Sequence, residues 1–476
     1  MNAALPDFRG RRVLVLGLGE SGLAMARWLA ARGADLTVAD SRSDPPGIGA
    51  LRHDRPELRI MLGPFSPQWL DTIDLVALSP GLPGDLPILE CARARGLAIT
   101  GEIELFAEAL TALGWRTRGR LLAITGTNGK TTVTSLVGHM CREAGLETRV
   151  CGNISPAALD ALAEALTSTA AGGHVPEAWV LELSSFQLET VTQLAADAAT
   201  VLNVSADHLD RYPDLDSYAR AKARLLADCA APVLNRDDAR VLAMSPPRQA
   251  LWTFGLHAPA SDSDFGLVED SGRLWLARGG HLLLAADELA LHGRHNLANV
   301  LAALALCTAA GLPMAALLAA ARSFRGLPHR VQLVAEHRGV RYIDDSKGTN
   351  VGATLAALEG LGRKVVLIAG GDGKGQDFAA LAPAVSRHAR AVLLIGRDAE
   401  LIDAALATSG VPRRRCSDLN DAVCTAMGIA EAGDAVLLSP ACASWDMFRD
   451  YRHRAEVFAR AVTELIDAEV AHDSRH

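Results

Sequence analysis

The chain has 476 residues, more than one hydrophobic core fills, so two to four domains are expected. Its 47 Lys and Arg against 55 Asp and Glu leave a formal charge of -8, which offers no long-range pull on a polyanion and argues against nucleic acid as a partner. A hydrophobic share of 49 % beside 21 % charged residues excludes general disorder. Eight cysteines run from Cys91 to Cys442 without a CxxC pair, so neither a zinc site nor a disulfide framework is suggested and a reducing compartment fits. No stretch reaches the roughly 18 uninterrupted apolar residues of a spanning helix, and a soluble, cytoplasmic protein without membrane insertion is expected.

The first elements read as a βαβ unit: VLVLG at Val13 to Gly17, a helical pattern from Ser21 to Arg32, and LTVAD ending at Asp40. A second series starts at LLAIT near Leu121 and continues through WVLEL (Trp179 to Leu183) and TVLNV (Thr200 to Val204) as a second parallel sheet. The segment Thr167 to Ala178 is small, polar and glycine-containing and is expected to be a surface loop. Beyond GLPHR come VVLIAGG (Val365 to Gly371), AVLLIG (Ala391 to Gly396) and AVLLSP (Ala435 to Pro440). The fold class is therefore α/β, three tandem domains with boundaries near Thr100 and Gly326, giving parts 1–100, 101–326 and 327–476.

Chemistry is densest after LLAIT, at Gly126-Thr127-Asn128-Gly129-Lys130-Thr131-Thr132 ahead of a helical run. Glycines let backbone N–H groups curl round phosphate oxygens, the helix offers its positive end, the lysine neutralises charge and a threonine hydroxyl reaches magnesium. The spacing departs from the strict Walker pattern, since Ile124 stands five before Gly129. Magnesium wants carboxylate oxygens, and Glu182 inside an apolar strand is a candidate; a solvent-facing glutamate on an edge strand is the alternative. His208 follows the next strand at the carboxyl edge, where open α/β sheets bind ligands. Lys222, on a helical segment, reads by itself as a surface lysine. Gly17, Gly19 and Gly22 with Asp40 form a dinucleotide signature, which taken alone suggests a nicotinamide oxidoreductase.

The ordered motifs GLGESG, GEIELF, ITGTNGKTT, CGNIS, LELSSFQLE, NVSADHLDRY, GRHNLAN, GLPHR, DDSKGTNVGAT, GGDGK and LSPACASWDMF resemble those of the Mur ligase family across all three parts. The resemblance implies an N-terminal Rossmann-like domain for a UDP-linked substrate, a central P-loop ATPase-like domain and a C-terminal Rossmann-like domain for an incoming glutamate. It implies that Lys130 holds the terminal phosphates of ATP within a loop of Gly126, Thr127, Asn128, Gly129, Thr131 and Thr132. It further implies that Thr131, Glu182, His208 and Lys222, the last once carbamylated, hold magnesium. Asn296, Asn299, His329, Arg330 and Asp345 resemble positions around the nucleotide, with Arg330 beside the transferred phosphate. Gly19, Glu20, Ser21, Asp40, Ser41, Arg42, Ser79, Pro80 and Gly81 resemble contacts to the uridine diphosphate, and Asn153, Ser184 and Gln187 contacts nearer the sugar and peptide. Lys347, Thr349, Lys374 and Ser444 match residues that hold glutamate. Tyr451, a further position at the glutamate site, and Trp445 depart from the phenylalanine and leucine common there; they read as packing variations, with an altered shape of the glutamate pocket as the alternative.

The implied activity is ATP-dependent addition of D-glutamate to UDP-N-acetylmuramoyl-L-alanine through an acyl phosphate, in cytoplasmic peptidoglycan precursor synthesis, by a monomer acting on small molecules. Alternatives are a related ligase for L-glutamate or another amino acid, a nucleotide-binding regulator without catalysis, and the oxidoreductase.

Overall fold

The computed structural model describes residues 5–170, 174–208, 210–245, 251–291 and 293–473. Three β-sheets succeed one another along the chain. In the first, all parallel, the spatial order is Arg59–Leu62, Asp35–Asp40, Arg12–Leu16, Leu75–Leu78, Ala98–Thr100. The strand order reverses beside Arg12–Leu16, and the chain leaving that strand enters the helix Glu20–Ala31. The switch point where such sheets bind ligands thus falls on GLGESG. Val13 to Leu16 are each fully buried, as helical crossovers on both faces require.

The second sheet has nine strands in the order His281–Ala285, Arg273–Arg278, Asp264–Asp270, Trp252–Phe254, Ala231–Asn235, Ala198–Val201, Arg120–Thr125, Ala178–Glu182, Thr148–Gly152. Pairing is parallel from Asp264–Asp270 through Thr148–Gly152, and the remaining two strands return antiparallel. The reading of this sheet as parallel therefore needs a correction at one end. Asp270 pairs with Arg273 across Ser271 and Gly272, both with positive φ, which is the two-residue hairpin turn whose twist matches that of the strands.

The third sheet runs Gln332–His337, Val340–Asp344, Ala435–Leu438, Val365–Gly370, Ala389–Ile395, Arg413–Arg415, with only the first pair antiparallel. Successive side chains of Val365–Gly370 alternate between two cores. Val365, Leu367 and Ala369 pack with Leu381 and Val385, whereas Val366 and Ile368 pack with Val423, Phe458 and Val462. A strand apolar at every position is thereby satisfied on both faces.

The first two sheets belong to one compact unit; the third forms another, which also takes in Ser205–Leu215 and Leu289–Ala298. The expected loop at Thr167 to Ala178 is shorter than the sequence suggested, because Thr167 to Ala170 finish the helix Ala158–Ala170. Of that segment, residues 171–173 lie outside the described residues. No helix among the described residues is long and apolar enough to cross a membrane.

Candidate active site

The phosphate-loop motif joins the strand Arg120–Thr125 to the helix Lys130–Glu143. Gly129 caps that helix at φ 82°, and a Cβ there would stand 2.5 Å from Asn299 Oδ1. Only glycine meets both demands, and Asn299 lies against the loop. Lys130 Nζ reaches back across the loop and donates to the carbonyl oxygens of Gly126 and Thr127, each at 2.9 Å. Lys222 is 1 % exposed rather than on the surface, which overturns the reading of its sequence context alone. Its Nζ donates to Gly126 O at 3.0 Å and lies 4.3 Å from the centre of the Tyr218 ring. Two lysines therefore converge on one carbonyl of the loop. Asn203, which the sequence reading passed over, shapes the same loop. It accepts from Asn128 N at 2.8 Å and donates to Asn128 O at 3.1 Å, and its own carbonyl accepts from Thr127 N. An asparagine at the end of the strand run TVLNV was the available signal.

Glu182 ends an interior strand, paired with Ile124 on one side and Gly152 on the other, so the edge-strand alternative does not hold. It is 2 % exposed; Oε1 accepts from Asn153 Nδ2 at 2.8 Å, and Oε2 is buried without a hydrogen-bond partner among the described residues. A buried carboxylate oxygen left this way is costly unless a cation meets it. Ser184 and Gln187 form a reciprocal cap on the short helix Ser185–Leu188 just beyond.

In the first sheet's site, Asp40 Oδ2 accepts from Leu18 N at 2.7 Å, while Oδ1 accepts from Arg42 N and Nε, both at 2.9 Å. Burial alone would raise the Asp40 carboxyl, but these donors outweigh it and hold the group down at about 2. Asp40 thus fixes the glycine-rich turn and Arg42 together. A Cβ on Gly22 would lie 1.8 Å from Gly17 O, the close helix-to-strand approach that this turn requires. Ser79 is buried there, Ser41, Arg42 and Gly81 are exposed, and Pro80, Gly19 and Ser21 are half-buried. Glu20 Oε1 accepts from Ser155 Oγ at 2.5 Å.

The second unit gathers His208, Asn296, His329, Arg330, Asp345, Lys347, Thr349, Lys374, Ser444 and Tyr451, so His208 and Glu182 belong to different units. His208 adopts φ 55° and its backbone N–H donates to Asp207 Oδ1. Asp207, 7 % exposed and missed from sequence despite its place beside His208, also accepts from Lys374 Nζ at 3.2 Å and Asn350 Nδ2 at 3.4 Å. His329 Nδ1 lies 2.7 Å from Asp344 Oδ2. Asp345 is buried; burial pushes its carboxyl up to about 7 although Ser439 Oγ donates to Oδ2 at 2.7 Å and the Arg330 charge opposes the rise. Tyr451 brings expected residues together: Lys347 Nζ sits 3.9 Å from its ring centre and the His329 ring 6.2 Å away. Ser444 is buried, whereas the adjacent Trp445 is 72 % exposed. Arg454, also missed, is fully buried and donates from Nη2 to Ser346 O at 2.9 Å and from Nη1 to Cys442 O at 3.2 Å. Its signal was a charge on the apolar stripe shared with Phe458, Ala461 and Val462.

Three domain families match the chain in succession: the N-terminal domain of the MurD-like Mur ligases over residues 11–101, the Mur ligase middle domain over 124–307, and the Mur ligase glutamate ligase domain over 329–442. A protein from Aromatoleum aromaticum named UDP-N-acetylmuramoylalanine--D-glutamate ligase is 59 % identical over 96 % of this chain and 98 % of its own length. Namesakes from Methylobacillus flagellatus and Thiobacillus denitrificans are 54 % and 52 % identical, each over 98 % of this chain, covering 99 % and 98 % of their own lengths. Among solved structures, UDP-N-acetylmuramate-alanine ligase from Thermotoga maritima superposes with TM-score 0.58 at 21 % identity, over 95 % of this chain and 99 % of that one. A pseudomurein peptide ligase from Methanothermus fervidus gives 0.53 at 17 %, over 90 % and 96 %. At those identities the likeness speaks to the fold.

Proposed function

The chain belongs to the Mur ligase family, and we propose that it joins D-glutamate to UDP-N-acetylmuramoyl-L-alanine, with cleavage of ATP to ADP and phosphate, in the cytoplasmic synthesis of peptidoglycan precursors. Two observations carry the chemistry: Lys130 lies across a glycine-rich loop, and Glu182, at the end of the adjoining strand, has a buried Oε2 with no hydrogen-bond partner among the described residues. The three parts divide the work: residues 1–100 for the UDP-linked substrate, 101–326 for ATP and 327–476 for glutamate.

A carboxylate is a poor acyl donor, because its oxide is a bad leaving group and its charge repels an amine. Transfer of the γ-phosphate to the L-alanyl carboxylate removes both obstacles. The glutamate amine then attacks the acyl phosphate, forms the amide and expels phosphate. Lys130 and the loop N–H groups hold the phosphates in line, and Arg330 meets the charge that gathers on the transferred group. Lys347, Thr349, Lys374 and Ser444 offer cations and hydroxyls to the two glutamate carboxylates. The Glu182 oxygen without a partner among the described residues fits a hard divalent cation, and Thr131 and a carbamylated Lys222 would help hold that magnesium, with His208 serving a second one. Magnesium supplies charge neutralisation on the phosphates. Carbamylation adds carbon dioxide to the Lys222 nitrogen; counted from the ammonium form two protons leave, and a cation becomes an anionic oxygen donor. The protein acts as a monomer on small molecules.

The test is Lys130→Ala. Phosphate release that needs both the UDP precursor and D-glutamate should fall by at least about a hundredfold in a folded variant. Undiminished release, or release with L-glutamate alone, refutes the reading.

A further inference from the structure

Glu102 opens the helix Glu102–Ala112, just after the strand that closes the first sheet, but its side chain serves a later part of the chain. Oε1 accepts from Leu159 N at 2.9 Å, with Ala158 N–H directed at the same carboxyl. An acid on one helix thus caps the N-terminus of another, Ala158–Ala170. Glu102 is 2 % exposed and its buried Oε2 meets no hydrogen-bond geometry among the described residues. A local serine or aspartate would cap that helix more cheaply than a distant carboxyl taken out of water.

The segment ahead of the capped helix explains the arrangement. Gly152 N donates to Pro156 O, Asn153 N to Glu182 O and Asn153 Nδ2 to Glu182 Oε1, while Ser155 Oγ donates to Glu20 Oε1. One short loop therefore touches the glycine-rich turn of the first sheet and the acidic strand end of the second. Gln187, which closes the cap with Ser184, lies against the Glu102 carboxyl as well.

We propose that Glu102 is a positioning residue for the UDP-linked substrate: from a single buried carboxyl it sets the Gly152–Pro156 loop with Asn153 and the Ser184–Gln187 turn. The proposal rests on the reading of Asn153, Ser184 and Gln187 as substrate contacts.

Glu102→Ala, Glu102→Gln, Glu102→Asp and Asn153→Ala in the full-length enzyme test it, with KM measured separately for UDP-N-acetylmuramoyl-L-alanine, ATP and D-glutamate. Glu102→Ala should raise the KM of the UDP substrate about tenfold and move the other two by less than about twofold. Glu102→Gln, whose Oε1 still accepts from Leu159 N, should stay within about threefold of the parent. Should Glu102→Ala fail to fold, Glu102→Asp, one methylene too short to reach, carries the comparison with the same KM split. If Asn153→Ala raises the UDP-substrate KM and the folded Glu102 variants do not, or if those variants raise all three KM values alike, Glu102 is a structural cap only and the proposal is overturned. If Asn153→Ala leaves that KM unchanged, the contact reading fails and the proposal falls with it.

Discussion

Glu102 also makes stability depend on pH in a calculable way. Burial pushes its carboxyl up from the ordinary 4.5 to about 7, against the opposing N–H groups of Leu159 and Ala158, with the Asp160 charge adding to the rise and Gln187 opposing it. Cys151, the other titratable neighbour, is itself driven well above its usual value by burial and stays neutral. Between those limits the folded chain holds a proton that the unfolded chain releases, so stability is greatest below pH 4.5 and is lost as pH rises through 7. The gap from 4.5 to about 7, at roughly 1.4 kcal/mol per pH unit, corresponds to about 3–4 kcal/mol. Glu102→Gln removes the titration but keeps an oxygen for Leu159 N. Its buried amide N–H groups cost about 1–2 kcal/mol at every pH if they find no acceptor. Parent and variant should be compared by urea denaturation at pH 5.0 to 8.5, with circular dichroism as the readout, and the difference taken at each pH because a chain of several domains does not unfold in one step. The difference should move toward the variant by about 2–3 kcal/mol across that range. A difference that is the same at both ends refutes the account of a buried, reluctant acid.

Asp40→Asn should loosen the turn at Leu18 and release Arg42, raising the UDP-substrate KM about tenfold. Because the Asp40 pKa is lowered, its stabilising share in the parent, roughly 1–2 kcal/mol, is present above pH 3.8 and is lost as pH falls toward 2, which acid titration by circular dichroism checks. Lys222→Ala should abolish turnover while the chain stays folded. The parent, equilibrated with carbon-13 bicarbonate, should give a carbamate carbon resonance that the variant lacks. Arg454→Met should lower kcat/KM for D-glutamate by about tenfold or more with KM for ATP unchanged, because two loop carbonyls lose their shared donor; Arg454→Lys, unable to span both, should recover only part. Equal effects on both substrates would argue that Arg454 merely holds the fold.

The contrast between what was legible in the sequence and what was not follows from how each signal is encoded. Strands such as VLVLG, LLAIT and VVLIAG announce themselves because a strand buried on both faces must be apolar throughout, and a glycine-rich turn before a helix is written in consecutive residues. The antiparallel strands Asp264–Asp270, Arg273–Arg278 and His281–Ala285 are less legible because Glu269, Asp270, Arg273 and His281 are exposed and interrupt the apolar runs, and the Ser271-Gly272 turn is two residues long. Lys222 shows the harder limit. Nothing in SYARAKARLL separates a lysine on the buried face from one in water; its burial depends on Tyr218 and the Gly126 carbonyl, 4 and 96 residues away in sequence.

Arg454, Asp207 and Glu102 share that character, since each satisfies groups from segments far apart in the chain: Arg454 the carbonyls of Ser346 and Cys442, Asp207 the side chains of Lys374 and Asn350, Glu102 the N-terminus at Leu159. Motifs name the residues that meet ligands, because those cluster at strand ends. The buried charges that hold such motifs in register belong to no motif of their own, and a charge placed on an otherwise apolar face is the trace they leave. For a ligase whose two steps need a phosphate, an acyl group and an amine aligned together, an error of about 1 Å in any loop can cost some hundredfold in rate. These three side chains are therefore where substitutions outside the ligand-touching set should weigh most on turnover.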